Sequence, residues 1–359
     1  MTQTIGSSED LIENYRFQLF KKTMLLVVSI ACLLLTIGFL SMSAYDNITL
    51  WQAYEVIINH ILGNEYEFRS ELWWADRTIW YSIIPRVLAG ILAGMSLAAA
   101  GTLMQSLMKN PLAEPYSTGI SSGACFGAIA AMVTGLTITA SQNGTVISAF
   151  IGAMIPVAII IVISKKMDVS PATLILIGTA ISYFFNSMVT YMMVITDAET
   201  LQNAYIWQIG TLDNVQWESI PLIATITLIG SVIVMFLSKT LNVMSLGDAS
   251  AKTLGLDVEK VRTFSLLVMA VMTASIVCFT GTIGFVGLVA PHVVRMIIGS
   301  DNKFVIPISM TFGALLLVFA DYVAFSIVGL PVGLITSMIG SPIFLLLILW
   351  QRKGYGAIY

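Results

Sequence analysis

The sequence predicts an all-α membrane protein with about ten transmembrane helices and both termini cytoplasmic. Three observations carry this. Of the 359 residues, 57% are hydrophobic and only 10% charged. The apolar residues fall into runs long enough to cross a bilayer, and the basic residues collect on alternate connections between those runs. A soluble domain carries roughly 25% charged residues, whereas a span needs about 20 mostly apolar ones. A formal charge of −3 without a basic stripe argues against nucleic acid. Cys32, Cys125 and Cys278 lie far apart in apolar runs, and two histidines cannot make a His-rich site, so no metal site is expected.

In chain order, residues 1–23 form a polar cytoplasmic segment. The run at 24–40 follows Lys21 and Lys22; it is long for a signal-peptide core and is followed by a poor cleavage site, so it reads as an uncleaved first span. The ten spans are 24–43, 86–108, 116–136, 145–164, 172–195, 218–238, 262–281, 284–299, 305–328 and 332–350. They make a single domain over 24–353, followed by a tail at 354–359. Between the first two spans, Trp51, Tyr54, Ile57, Ile58 and Ile61 repeat at three and four residues, the pattern of an amphipathic helix on the membrane surface. Trp73, Trp74, Trp80 and Tyr81 then read as an interfacial aromatic belt.

Charge orients these spans. With the N-terminus inside, the inner connections and ends receive fourteen Lys and Arg residues, among them Lys109, Lys165, Lys166, Lys239, Arg262 and Arg295. The outer ones receive Arg69, Arg77 and Arg86. Such asymmetry is the positive-inside signature, and removing one middle span would destroy it. Pro111, Pro115, Pro156, Pro291, Pro331 and Pro342 interrupt or flank apolar runs. Lipid tolerates such breaks where protein or a water-filled cavity covers the freed backbone groups, either at a structural kink or in a transport core.

Residues 239–262 break the membrane pattern on the inner side. Ser245 and Asp248 have the chemistry to cap a short helix, Gly255 is a natural left-handed stop, and Asp257 restarts helix toward the seventh span. Two short helices joined by glycine make a rigid knob suited to docking a partner; an ordinary solvated connection would more often be shorter and less helical. The stretch 247–253 lacks the second glycine and the preceding strand of a P-loop. No nucleotide site and no catalytic residue is therefore expected in this chain.

In the fifth span Thr179, Ser182, Asn186 and Thr190 share one helical face. A polar stripe in lipid must face protein or water, so it either lines a pathway or bonds a neighbouring helix. Asp321 is the one carboxylate deep in a span, where insertion costs about 2.5–3.5 kcal/mol unless it is paired. For Asp321 and His292 a structural role, capping broken backbone, is expected over a proton relay.

The motifs Ile84-Pro85-Arg86-Val87-Leu88-Ala89-Gly90, Gly101-Thr102-Leu103-Met104-Gln105 and Asn110-Pro111-Leu112-Ala113-Glu114-Pro115 resemble the vitamin B12/iron–siderophore (FecCD-type) permease family of ABC importers. So do the segments at 119–123, 207–210, 284–292, 330–333 and 340–342. The resemblance covers 80–353. It implies a type II ABC importer permease fold in a prokaryotic cell membrane, with two copies or two related permeases forming the channel. It also implies a cytoplasmic ATPase dimer carrying ATP-Mg, an external binding protein and a metal-chelate cargo, with no cofactor in this chain. The segment 242–256 would be the coupling element, with Gly247, Asp248, Ala251, Leu254 and Gly255 its key residues. Arg86 would help receive the binding protein, or else be an interfacial snorkelling residue. Relatives carry further arginines where this chain has Ile83 and Phe325, and Arg77 is a candidate substitute. The resemblance also tips the stripe on the fifth span toward lining the pathway. The rival reading is an ion-coupled secondary transporter, which usually needs several midplane ionisable groups.

Overall fold

The computed structural model describes residues 8–45, 48–135, 144–166 and 170–354, and every regular element among them is helical. Of the expected tail at 354–359, residues 355–359 lie outside the described residues, as does the start of the N-terminal segment. In order the helices are α1 (Ser8–Ser43), α2 (Leu50–Ile61), α3 (Glu71–Thr78), α4 (Ile84–Met108), α5 (Ile120–Thr134), α6 (Gly144–Lys166), α7 (Pro171–Ile195) and α8 (Ala198–Ile209). They continue with α9 (Ile220–Phe236), α10 (Ser238–Ser245), α11 (Asp248–Thr253), α12 (Val258–Thr280), α13 (Val286–Ile298), α14 (Asn302–Tyr322) and α15 (Val332–Gly354).

Each of the ten expected spans falls on a helix. Among the described residues, six stretches are long and apolar enough to cross a bilayer: Leu19–Ser43, Glu71–Met108, Gly144–Ser164, Pro171–Ile195, Val258–Thr280 and Asn302–Val328. A seventh is the α9–α10 pair, bent by 53°. The remaining three, Ile120–Thr134, Val286–Ile298 and Val332–Leu347, are apolar but shorter than a full crossing. Two features depart from expectation. The second span starts well before residue 86, because α3, a π turn (Ile79–Ile83) and α4 run on without a break. Helix α8, between the fifth and sixth spans, was not anticipated; its N-cap Asp197 accepts from Glu199 and Thr200 N–H.

The expected surface helix is α2. Thr49 and Gln52 start it with a reciprocal capping box, Gln52 N–H donating to Thr49 Oγ1 at 3.3 Å and Thr49 N–H to Gln52 Oε1 at 2.8 Å. Its small residues Ala53 and Val56 face the protein, while Trp51, Ile58 and Ile61 point outward.

Helix α4 is the axis of the molecule. Its run Ser96-Leu97-Ala98-Ala99-Ala100-Gly101 is buried throughout, as small residues let neighbouring backbones come close. A methyl group at Gly94 would collide with the Gly313 carbonyl on α14, and one at Gly101 with the Gly287 carbonyl on α13. Between α5 and α6, Gly123 and Gly152 make the same kind of crossing. Dispersion and close packing, rather than hydrophobic transfer, hold such contacts in lipid.

Candidate functional site

Side chains that the charge pattern placed on one side of the membrane meet in the fold. The inner group gathers at the knob. Helix α4 ends at Lys109, whose left-handed backbone (φ 51°) is uncommon for a residue with a side chain. The turn aims its ammonium at Asp248, with Nζ donating to Oδ1 at 2.6 Å. Arg262, at the start of α12, donates from Nη2 to Asp248 Oδ2 at 2.6 Å. Partial burial opposes the Asp248 charge, but these two cations outweigh it and hold the carboxyl below its usual range.

Asp248 therefore pins the knob to the membrane domain, and the expectation that it caps α11 together with Ser245 is not met. The N-cap is Gly247 (φ 111°), without a side-chain bond, and Ser245 Oγ donates instead to the Asn242 carbonyl at 2.6 Å. Gly255 is left-handed (φ 84°) and closes α11 as expected, and Asp257 caps α12 through Lys260 N–H. Leu246 and Leu254 project from the knob, each 65% exposed. Ala251, expected as a coupling residue, is fully buried and belongs to the same apolar core as Leu107 and Met244. An apolar tip on a charge-anchored base is the form of a docking surface.

Beside the knob lies a second inner network. Asn302, the first residue of α14, accepts on Oδ1 from Arg295 Nη2 of α13 at 2.9 Å and from Ser106 Oγ of α4 at 3.1 Å. Its backbone N–H donates to Asn242 Oδ1 of α10 at 2.9 Å, and Asn242 Nδ2 donates to the N-cap Asp301 at 2.7 Å. Asn242, Asn302 and Ser106 carried no sequence signal, because neutral side chains near helix ends have no diagnostic spacing.

The outer group centres on Arg86, and here a sequence expectation is corrected. Arg86 does not stand free on the outer face. It is buried, donating from Nε and Nη2 to the two oxygens of Asp321 at 2.7 Å each and from Nη1 to Asp213 in the α8–α9 connection. Bidentate pairing is what makes a buried guanidinium tolerable. Asp213 in turn accepts from Thr211 Oγ1 at 2.6 Å, and Phe325 lies over the Arg86 guanidinium at 4.6 Å. Asp321, expected to cap broken backbone, is thus the counter-ion of Arg86. Phe325 belongs to a π turn (Val323–Val328) that follows α14, as another precedes α4. Arg77 is exposed among Trp73 and Tyr81, at 5.2 and 5.5 Å from their rings. His292 is buried with its ring edge-on to Phe344.

On α7 the hydroxyls of Thr179, Ser182 and Thr190 donate to the carbonyls of Ile175, Gly178 and Asn186 in their own helix at 2.8–2.9 Å. Thr179, Asn186 and Thr190 are exposed and Ser182 half-buried, so the stripe lies open on the single chain. Motif glycines meet elsewhere: Gly333 N–H donates to the Gly210 carbonyl at 3.1 Å, and a methyl at Gly281 would strike the Trp207 carbonyl. These motifs build the backbone junction at the end of α8.

The pattern of the FecCD transport family matches residues 23–350. The chain is 37% identical over 275 residues to the Fe(3+)-citrate import system permease protein YfmD of Bacillus subtilis, covering 76% of this chain and 80% of that one. It is 37% identical to the hemin transport system permease protein HmuU of Yersinia pestis, covering 77% and 84%. To the vitamin B12 import system permease protein BtuC of Vibrio cholerae it is 34% identical, covering 78% and 88%. A solved structure described as an inward-facing conformation of a metal-chelate type ABC transporter superposes with a TM-score of 0.76 at 28% identity, over 92% of this chain and 98% of that one.

Proposed function

The chain belongs to the FecCD transport family, a multi-pass permease family of ABC importers in the prokaryotic plasma membrane, and from that premise we propose how it works and what it carries. The cargo is an iron chelate such as ferric citrate, with haem and cobalamin as the other members of the class that its relatives' names span. The permease pairs with a second copy or a related permease. A separate ATPase dimer binds ATP-Mg, seats on Leu246, Leu254 and the glycine-bounded turns of the knob, and drives the change of facing. An external binding protein delivers cargo at the end that carries Arg77. This chain performs no covalent chemistry.

The observation that carries the reading is the knob itself, an apolar tip fixed by Asp248 to α4 and α12 at once. A force applied there reaches the membrane helices through ion pairs rather than through a slack loop. The ion-coupled alternative loses its best residue, because Asp321 is neutralised by Arg86. The test is uptake into proteoliposomes holding the permease, its ATPase and its binding protein, offered ferric citrate, haemin and cobalamin separately. Vanadate should stop uptake of one of them. Uptake that survives vanadate but collapses with the proton or sodium gradient would overturn the reading.

A further inference from the structure

Helices α4 and α14 are joined three times along their length. At the inner end Ser106 of α4 donates to Asn302 of α14 at 3.1 Å. At mid-length the Gly94 and Gly313 backbones touch with no room for a side chain between them. At the outer end Arg86 of α4 chelates Asp321 of α14 through two hydrogen bonds of 2.7 Å. Packed cores and interfaces switch between discrete arrangements rather than deform smoothly, so two helices pinned at both ends and the middle move together.

Each end of this pair is also hooked to something else. Inside, the Asn242 amide grips the α14 N-terminus twice, accepting from Asn302 N–H at 2.9 Å and donating to Asp301 at 2.7 Å. An Asn side chain there satisfies one of the N–H groups a helix start leaves unpaired. Asn242 lies on α10, set off from α9 by the 53° bend and leading directly into the knob. Outside, the same Arg86 that holds Asp321 reaches across to Asp213, whose side chain is 56% exposed in the α8–α9 connection. Helix α7, in contrast, packs chiefly on α5 and shares none of these ties.

We propose that α4 and α14 form a rigid strut that carries motion of the coupling knob to the outer mouth, with Asn242 as its inner joint and Asp213 as its outer joint. The proposal rests on the ATP-driven reading above. Asn242 and Asp213 are positioning residues, and neither need touch cargo or nucleotide.

The experiment measures distances by electron spin resonance in the complete permease–ATPase complex in nanodiscs, with and without ATP and vanadate. Spin labels replace exposed residues in a Cys32→Ser background, Cys125 and Cys278 being buried. The pair Ser82→Cys with Phe319→Cys reports on the strut, and the pair Ser82→Cys with Val194→Cys reports on its relation to α7. The strut distance should stay fixed while the α7 distance shifts on nucleotide trapping. A strut distance that changes as much as the α7 distance overturns the proposal. No nucleotide-dependent change at either pair would instead remove the ATP-driven reading, and the strut with it.

The second arm is Asn242→Leu. ATP hydrolysis should persist while the nucleotide-driven shift at Val194 is lost and cargo moved per ATP falls about tenfold, the scale of an ordinary coupling free energy. A full shift at Val194 in this variant overturns the role of Asn242. Should Asn242→Leu not assemble with the ATPase, Asn242→Asp keeps the acceptor for Asn302 N–H but replaces the donor to Asp301 with a second carboxylate that repels it. It reads the same joint.

Discussion

Helices α4 and α7 have the same length and similar apolar content, yet they sit in opposite settings. In the apolar window of the span that holds α4, 83% of residues are buried, against 22% for α7. The sequences explain the difference. α4 is rich in Gly, Ala and Ser, which let α9, α12, α13 and α14 approach its backbone closely. α7 carries Leu176, Tyr183, Phe184, Tyr191 and Val194 on its outside, with a hydroxyl and amide stripe between them. Side chains that large and that exposed call for lipid or a second subunit, whereas the hydroxyls of the stripe already bond carbonyls of α7 itself. The contrast separates a buried frame helix from an exposed one, although both would register as spans in a hydropathy plot.

The comparison breaks most sharply at the outer end of the frame. Removing one partner of a buried ion pair costs about 3–5 kcal/mol, so Asp321→Ala should destabilise the permease by nearly that much, with Asp213 keeping the loss at the lower end. A melt of the purified protein in detergent reads it. The paired change Arg86→Met with Asp321→Leu should recover most of the loss; if it does not, the triad is more than a structural lock. Next in size is Gly101→Val, which forces a branched side chain into the Gly287 backbone and should cost about 1–3 kcal/mol or more. A Val tolerated there with an unchanged melting temperature would mean that α4 and α13 are not in contact.

How legible was this contrast beforehand? The spans and their orientation were readable because apolar run length and charge placement are local quantities; the motif stretches contain Gly101, Gly123 and Gly287 of the close crossings but not Gly94, Gly313 or Gly152. The pairing of Arg86 was not readable. Its partners lie 127 and 235 residues away, and an arginine near a span end looks the same in sequence whether it snorkels outward or turns inward to a carboxylate. Phe325 was noticed only as a missing arginine, whereas in the fold it covers Arg86. The knob was legible as a segment but not in its wiring: Asp248 faces Lys109 and Arg262 rather than its own helix, because two nearby cations outcompete unpaired N–H groups for a carboxylate. The extra helix α8 escaped for another reason, since its 12 residues mix polar and apolar side chains and are too few to register as a span.

The knob gives an intermediate effect. Asp248 is about a third exposed, so its two pairs are partly screened, and Asp248→Asn should lose only about 1 kcal/mol of stability. The Asp248 carboxyl sits below its ordinary range in the folded chain. Its stabilising contribution is therefore fully present above the unfolded value and disappears only as pH falls through the lowered folded one. Between pH 7 and pH 5 ATPase binding by the permease should be flat, and a co-sedimentation titration checks it. A loss of binding centred near pH 6 would mean that some group other than Asp248 controls the knob.

The smallest expected change in stability is on α7, and it tests the comparison most directly. Thr190 Oγ1 bonds the carbonyl of Asn186 in its own helix, and both side chains are exposed. Asn186→Ala and Thr190→Val therefore remove no contact with another helix. Exposed substitutions of this kind change stability by at most about 0.5 kcal/mol, so the melting temperature of the purified chain should hardly move. If the stripe borders the pathway, these same variants should alter the rate of chelate uptake at unchanged ATP hydrolysis, because cargo loses weak hydrogen-bond partners along its route. A melt lowered as far as that of Asp321→Ala would show α7 to be part of the frame. An unchanged melt with unchanged uptake would leave α7 as a subunit or lipid contact and move the pathway to another face. The informative quantity is thus the ratio of the two effects: large on stability at α4, large on transport at α7.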